Sequence, residues 1–238
     1  MNIVITGASK GIGYEMASYL SGNHRVFAIS RNETLLKKLQ RQSGESSGLI
    51  PIVCDLTDSG NVEKAVAIIS KEVNHIDVLI NNAGMLLNKS FRELSPDDWQ
   101  SVYDVNVFGV VQMTRYLMPL LEKGNYHSEK KVKSHVLNIS SMGGIQGSMK
   151  FKGLSAYSSG KGALITLTEC LAEEFKDIGI RVNVLALGSV ETEMFQSAFP
   201  GMKASEDPIS ISRWIADFAL SGGEFFNGNV LPVSTSNP

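Results

Sequence analysis

The stretch Thr6-Gly7-Ala8-Ser9-Lys10-Gly11-Ile12-Gly13 decides the fold, because it joins the short apolar run Ile3-Val4-Ile5 to a helical segment over residues 14–20. Glycines at these spacings let the backbone turn sharply and approach a pyrophosphate, whose charge the N-terminus of the following helix stabilises. A tight strand-to-helix turn without a ligand is the alternative. The position directly after the first apolar run favours a phosphate site.

Six further β-rich runs alternate with segments of helical period. The seven predicted strands cover residues 3–5, 26–29, 49–53, 78–80, 136–139, 181–187 and 230–233. Cap residues in Thr57-Asp58-Ser59 and Ser95-Pro96-Asp97-Asp98 mark the starts of two helices. This alternation predicts βαβ units with right-handed crossovers. The predicted fold class is therefore α/β, a doubly wound (Rossmann) parallel seven-stranded sheet with helices on both faces.

Composition places the chain among single globular domains. Of its 238 residues, 43% are hydrophobic and 19% charged, and 22 Lys and Arg residues stand against 24 Asp and Glu residues. This balance gives no basic surface for nucleic acid, and the length fits one large domain better than two. We therefore expect one dinucleotide-binding and catalytic domain over residues 1–238.

Cysteine, histidine and apolar patterns argue against other classes of site. Cys54 and Cys170 lie far apart and form no C-x-x-C pair, so we expect reduced, buried thiols. The four histidines never fall at metal-ligand spacing, so no metal site is predicted. No apolar run approaches the roughly 20 residues that span a bilayer, and no signal-peptide pattern precedes the first strand. We expect a cytoplasmic protein that has no membrane partner.

The end of the second strand predicts which dinucleotide binds. The chain reads Ala28-Ile29-Ser30-Arg31-Asn32 there, where dinucleotide folds selective for NAD place an acid for the ribose hydroxyls. Arg31 offers a planar fork to a 2′-phosphate, and Lys10 in the glycine turn supplies a second positive charge. NADP(H) is therefore favoured over NAD(H), although both basic side chains could simply be solvated.

Tyr157 and Lys161 are four residues apart in Tyr157-Ser158-Ser159-Gly160-Lys161, so they share one face of a helix. A phenol has a pKa of about 10, and acid–base chemistry near neutral pH requires a lower pKa. An ammonium about 4 Å away supplies about 4 kcal/mol at an effective dielectric constant of about 20. Ser141, at the carboxyl end of the fifth strand, could hydrogen-bond the same substrate oxygen. A Tyr/Lys pair at this spacing is usually structural when it stands alone. Here the serine at the end of the fifth strand favours a catalytic role.

These motifs resemble the classical short-chain dehydrogenase/reductase family through nearly the whole chain. The resemblance rests on the glycine turn, Asn81-Asn82-Ala83-Gly84, Asn106 within a helix, Ser141, and the Y-x-x-x-K pair. It implies a catalytic tetrad and a water, supported by Asn106, that relays protons from the lysine to solvent. The implied tetrad is Asn106, Ser141, Tyr157 and Lys161.

The resemblance also implies a set of cofactor contacts. Asp55-Leu56 would reach the adenine ring, and 82–84 would contact the adenosine ribose and support the strand. Val190 would contact the nicotinamide carboxamide, and Thr192 the carboxamide or a phosphate. Asp55 could instead be only a helix-entry residue, and Asn82 a structural amide that joins strands. Together with the glycine turn and Ser30-Arg31, the predicted cofactor-binding residues are Gly7, Ser9, Lys10, Gly11, Ile12, Gly13, Ser30, Arg31, Asp55, Leu56, Asn82, Ala83, Gly84, Tyr157, Lys161, Gly188, Val190 and Thr192.

The chain departs from the family pattern on the substrate side. A few extra residues within 146–152 separate the serine from the tyrosine, so Ser140 is the alternative to Ser141. Leu187-Gly188 replaces the usual Pro-Gly, the predicted substrate lid at about 189–210 is short, and the C-terminus lacks Asp-Gly-Gly. Six apolar residues could wall a substrate pocket or only pack the lid. They are Met149, Phe151, Leu154, Met194, Phe195 and Phe199.

The predicted function is that of an NADPH-dependent carbonyl reductase, which reduces a ketone or aldehyde to an alcohol with the tyrosine as proton donor. A 3-oxoacyl thioester is one substrate that the resemblance makes plausible. The alternatives are an NAD-dependent alcohol dehydrogenase of the same family and a non-catalytic regulator that senses NADP(H). Family members are usually homodimers or homotetramers built on the helices that begin near Ser95 and Tyr157.

Overall fold

A seven-stranded parallel sheet forms the centre of the computed structural model, which describes residues 1–127 and 129–235. The strand order is β3-β2-β1-β4-β5-β6-β7. All seven predicted strands are present, and the central ones extend by one or two residues beyond the predicted bounds. The strands are β1 Asn2–Thr6, β2 Arg25–Ser30, β3 Leu49–Val53, β4 Val78–Asn81, β5 Ser134–Ser141, β6 Ile180–Leu187 and β7 Val230–Val233.

Eight α-helices connect these strands within the described residues. They are α1 Gly11–Leu20, α2 Glu33–Ser43, α3 Ser59–Glu72, α4 Pro96–Tyr103, α5 Gly109–Leu121, α6 Ser155–Glu174, α7 Glu193–Ala198 and α8 Pro208–Ser221. The predicted caps are confirmed, since Asp58 accepts from the N–H of Asn61 and Ser95 forms a capping box with Asp98. A π-helical turn, Asp104–Phe108, joins α4 to α5.

The apolar core lies on both faces of the sheet. Buried side chains of α1, α2 and α8 pack on one face, where Met16, Leu36 and Ile215 meet the strands. Side chains of α3, α5 and α6 pack on the other face, where Val62 and Met113 lie against strand residues. Because helices cover both faces, the strands read as continuous apolar runs. The predicted doubly wound α/β fold is confirmed.

The strand order places the site. β1 lies between β2 and β4, so the chain first winds towards β3 and then crosses back to continue in the opposite direction from β4. In such sheets a crevice opens beyond the carboxyl ends of the strands where the winding reverses. The glycine turn follows β1, and Asn82 follows β4. Residues that the sequence separates by about 75 positions therefore meet at one edge.

Two further sequence expectations concern thiols and membranes. Cys54 is buried, as expected, whereas Cys170 is exposed, so the expectation of two buried thiols is wrong for Cys170. Its neighbours in sequence on α6, Glu169 and Leu171, show that this part of the helix borders solvent on one side and the core on the other. None of the helices in residues 1–127 and 129–235 is long and apolar enough to cross a membrane.

Candidate active site

A cavity of about 500 Å³ opens at the carboxyl edge of the sheet. Its walls come from the glycine turn, the ends of β2 to β6, the start of α6 and the segment that contains α7. Every residue of the predicted site lines this cavity except Gly13 and Asn106. The fold therefore brings predicted residues from the whole chain to one cavity, and the two exceptions lie just behind its wall.

Glycines let the turn between β1 and α1 pack closely against neighbouring backbone. Gly7 has φ +70°, and a Cβ there would lie 2.8 Å from Ala83 Cα. A Cβ on Gly13 would lie 2.4 Å from the Gly7 carbonyl oxygen, so this glycine packs α1 against β1 and does not face the cavity. Lys10, at the N-cap of α1, makes no side-chain cap bond. The first N–H groups of α1 can thus bind an anion such as a pyrophosphate.

Asn82 ties the end of β4 to the glycine turn. Its Nδ2 donates to the carbonyl oxygen of Thr6 at 3.0 Å and to that of Gly7 at 3.4 Å. The Thr6 hydroxyl accepts from the backbone N–H groups of Asn82 and Ala83. The amide nitrogen of Asn82 therefore joins two strand ends, as the structural alternative expects. The residue also lines the cavity.

Lys10 and Arg31 line the cavity beside the glycine turn and the end of β2, and each has an acidic partner. Lys10 Nζ lies 3.0 Å from Glu193 Oε2, and Arg31 Nη1 lies 3.8 Å from Asp55 Oδ2. Both pairs are exposed. The other carboxylate oxygen of Asp55 accepts from the N–H and hydroxyl of Thr57, so it also supports the turn before α3. Exposed pairs of this kind contribute about 0–1 kcal/mol, so an anionic ligand can displace either carboxylate.

Tyr157 and Lys161 lie on the first turns of α6 and face the cavity. Lys161 is buried, its Nζ donates to the Ile139 carbonyl oxygen at 2.7 Å, and the same atom lies 5.9 Å from the Tyr157 ring centroid. Burial lowers the pKa of Lys161 to about 8. Burial raises the pKa of Tyr157, and a hydrogen bond with Ser141 opposes that rise. Within the chain, burial therefore raises the pKa of the phenol, contrary to the lowering expected from the lysine.

The two adjacent serines differ in their partners. The Ser140 hydroxyl is buried and donates to the Lys161 carbonyl oxygen at 2.9 Å. The Ser141 hydroxyl accepts from the N–H of Gly143 and hydrogen-bonds with Tyr157. The first hydroxyl thus joins β5 to α6, and the second shares the reacting end of the cavity with the phenol.

Asn106 lies in the π-helical turn, fully buried. Its Oδ1 accepts from the N–H of Met85 at 2.9 Å, and its Nδ2 donates to the Met85 carbonyl oxygen at 2.8 Å. A Cβ on Gly84 would lie 3.3 Å from Asn106 Oδ1 and 3.5 Å from Lys161 Nζ. Asn106 therefore fixes the segment after β4 directly beside the lysine, and π-helical turns are common at functional sites.

Several residues of the cavity wall were absent from the predicted site. Leu86 and Val105 come from segments beside Asn106, Met202 and Lys203 follow α7, and Ser234 follows β7. A Cβ on Gly188 would lie 2.6 Å from Ser234 Oγ, which shows how closely the chain after β7 packs on the chain after β6. These residues belong to none of the motifs in the sequence, and only tertiary packing brings them to the cavity. Their place in the wall could therefore not be predicted.

Comparison with known proteins identifies the family. The family model described as short chain dehydrogenase matches residues 1–203. Oxidoreductase BOA17 of Botryotinia fuckeliana (strain B05.10) is 31% identical over 203 residues, which cover 85% of this chain and 70% of the relative. An oxidoreductase of Staphylococcus aureus (strain MW2) is 27% identical over 232 residues, 97% of this chain and 95% of that protein.

A solved structure supports the same conclusion. A short-chain dehydrogenase of Shigella flexneri 2a strain 301, complexed with NADP, superposes with a TM-score of 0.85 at 28% identity, over 97% of this chain and 95% of that one. Its fold corresponds to the one described above. The chain belongs to the short-chain dehydrogenase family and is an oxidoreductase.

Proposed function

We propose that this protein reduces the carbonyl group of a ketone or aldehyde to an alcohol and uses NADPH as the cofactor. The observation that carries the proposal is the Tyr157 phenol, which faces the cavity and hydrogen-bonds with Ser141 beside the buried Lys161. A protonated phenol is a proton donor, and reduction of a carbonyl group needs one at the oxygen.

The cofactor would occupy the cavity from the glycine turn to Tyr157, because the N-terminus of α1 lacks a side-chain cap and offers its N–H groups to a pyrophosphate. When bound, the reduced nicotinamide supplies the hydride that the carbonyl carbon receives. The Ser141 hydroxyl orients the substrate oxygen, and Tyr157 gives its proton to that oxygen as the C–O double bond becomes single. Lys161 stabilises the phenolate that remains, and a proton from solvent restores the phenol.

The preference for NADPH rests on Arg31, Lys10 and the pair of hydroxyls between them. Ser30 Oγ donates to Ser9 Oγ at 2.8 Å, so the end of β2 and the glycine turn form one polar rim. An acidic residue at the end of β2 would repel a 2′-phosphate, and the chain has Ser30-Arg31 there. Asp55 lies at the end of the next strand, where Arg31 partly neutralises it.

Arg31→Asp should weaken NADPH binding by at least about tenfold and leave NADH binding within about twofold. The substitution removes the planar fork that pairs with the phosphate and places a like charge there. The measurement is titration of each cofactor by fluorescence or calorimetry. Arg92→Asp, an exposed arginine outside the cavity, is the matched control. Equal losses for both cofactors would contradict the 2′-phosphate contact.

Glu193→Gln should tighten NADPH binding by up to about fivefold, which corresponds to about 1 kcal/mol. Glu193 holds Lys10 at 3.0 Å and therefore competes with the cofactor phosphates for the same ammonium. The measurement is the NADPH dissociation constant at low and high salt, because screening should shrink the difference. Glu63→Gln, an exposed glutamate on α3, is the control. Weaker binding in Glu193→Gln would show that the carboxylate does not compete.

The two alternative functions have specific tests. An NAD-dependent alcohol dehydrogenase would oxidise alcohols with NAD faster than it reduces carbonyl compounds with NADPH, and initial rates in both directions decide between them. A regulator that senses NADP(H) would bind NADPH with no turnover across aldehydes, diketones and acetoacetyl thioesters. A substrate lid over about 189–210 and a homodimeric or homotetrameric state stay predictions, and light scattering tests the latter.

A further inference from the structure

The extra residues before Tyr157 build one wall of the cavity. They lie in the loop 145–154, between a short turn after β5 and the start of α6. The Ser148 hydroxyl donates to the Met142 carbonyl oxygen at 2.6 Å, so the loop folds back onto the residue that follows Ser141. Met149 and Phe151 of this loop line the cavity. The insertion that departs from the family pattern thus stands beside the reacting groups.

The opposite wall is aromatic and is joined to this loop. Phe199 packs edge-on against Phe151 with ring centroids 6.2 Å apart, and against Phe195 of α7 at 5.3 Å. The Asn88 amide donates to the Ala198 carbonyl oxygen at 2.7 Å, which fastens the end of α7 to the chain after β4. Three separate segments therefore enclose the substrate end of the cavity.

Exposure distinguishes substrate contact from lid packing. Met149 is 59% exposed and Phe151 is 53% exposed, although both belong to the wall of a concave site. Side chains that only packed the lid would be buried against one another, as Leu154 is. Large apolar side chains that remain accessible within a cavity indicate a surface that a ligand covers.

The charges on the cavity wall constrain the ligand further. Among the described residues that line the cavity, the acidic ones are Asp55 and Glu193, and each lies beside a basic side chain at the cofactor end. The remaining charged side chains of the wall are Lys161, which the mechanism uses, and Lys203, which is exposed. No carboxylate among the described wall residues is left to bind a cationic substrate.

We infer that the substrate is a carbonyl compound without a positive charge that carries an aromatic or branched apolar group next to the C=O, and that Met149 and Phe151 of the loop 145–154 select it. The inference rests on the proposed reductase function for the reaction, and on the wall of the cavity for the selectivity. It makes the insertion before Tyr157 the segment that determines specificity.

Four activated carbonyl compounds test the inference with NADPH as cofactor. They are 1-phenylpropane-1,2-dione, butane-2,3-dione, phenylpyruvate and pyruvate, which vary apolar bulk and charge separately. The phenyl dione should have a kcat/KM at least about tenfold above that of the butanedione, and phenylpyruvate should exceed pyruvate by at least about tenfold. Equal or faster reduction of the smaller compound of either pair would overturn the inference.

Two variants and one control link the selectivity to the loop. Phe151→Ala and Met149→Ala should each lower kcat/KM for the phenyl dione by about tenfold and change that for butanedione by less than about twofold. Met149→Ala serves also as the variant that leaves the packed rings intact. Phe225→Ala removes a phenylalanine that is 73% exposed and outside the cavity, and should change neither value. Equal losses of kcat/KM for both substrates would show that the loop 145–154 does not determine the selectivity.

A binding measurement separates this inference from the proposed function. If none of the four compounds is reduced, calorimetry of the phenyl dione with the NADPH-bound protein decides the matter. Binding that Met149→Ala or Phe151→Ala weakens by about tenfold would support the apolar site while the reductase proposal fails. No binding to the unaltered protein would overturn the inference.

Discussion

Tyr157→Phe should lower kcat/KM for carbonyl reduction by about 10²–10⁴-fold and leave the dissociation constant for NADPH nearly unchanged. The substitution removes one hydroxyl, and with it the proton that the carbonyl oxygen receives. The ring stays, so the packing of α6 and the shape of the cavity are kept. Steady-state rates at saturating NADPH, together with fluorescence titration of the cofactor, measure the two quantities.

The control for this prediction is a tyrosine outside the site. Tyr116→Phe, on α5 and away from the cavity wall, deletes the same hydroxyl and should leave kcat/KM within about twofold. Ser141→Ala should produce a smaller loss than Tyr157→Phe, because the serine orients the oxygen and does not protonate it. Full turnover by Tyr157→Phe would exclude the phenol as the proton donor.

Lys161→Met should lower kcat/KM by about 10²-fold at pH 7, and the difference from the unaltered protein should vanish as the pH rises. The lowered pKa of about 8 means that the lysine is charged below pH 8 and neutral above it. At high pH both proteins therefore lack the ammonium that stabilises the phenolate. The measurement is the ratio of the two kcat/KM values across pH 6.5 to about 9.5.

The same profile separates the lysine from the tyrosine. The pKa of Tyr157 is raised above its ordinary value, so its titration does not produce a fall near pH 8. Lys38→Met, an exposed lysine on α2, should give a constant ratio near one. A ratio for Lys161→Met that stays at about 10² through pH 9.5 would show that the charge of the lysine is not what matters. Thermal melting of each variant checks that the buried site still folds.

Local sequence carried much of the fold. The glycine turn, the caps at Asp58 and Ser95, and the spacing of Tyr157 and Lys161 are determined within a few residues, so they could be predicted. Within the predicted lid range of about 189–210, residues 208–210 form the first turn of α8, which Asp207 caps and Pro208 begins. That helix packs on α1, about 200 residues earlier, and such a contact leaves no local trace.

The sequence predicted which residues meet at the cavity better than it predicted their pKa shifts and ion pairs. Helical spacing predicted that Lys161 lies near Tyr157. The lysine Nζ, however, donates to the Ile139 carbonyl oxygen on β5, and the pKa of the phenol is raised and not lowered. Glu193 was missed as the partner of Lys10, because 183 residues separate them. From the sequence, Met149 and Phe151 could wall a substrate pocket or only pack the lid, and their exposure within the cavity favours the first alternative.

The cavity has two halves that differ in how many substitutions they can accept. On the cofactor side, Gly7 and Gly13 lie against neighbouring backbone so closely that almost any larger residue would displace it. On the substrate side, Met149 and Phe151 stand on a loop and remain accessible, so a change there alters the wall with little cost to folding. Substitutions in the loop 145–154 could therefore change the substrate of the proposed reductase, while the glycine turn stays the same.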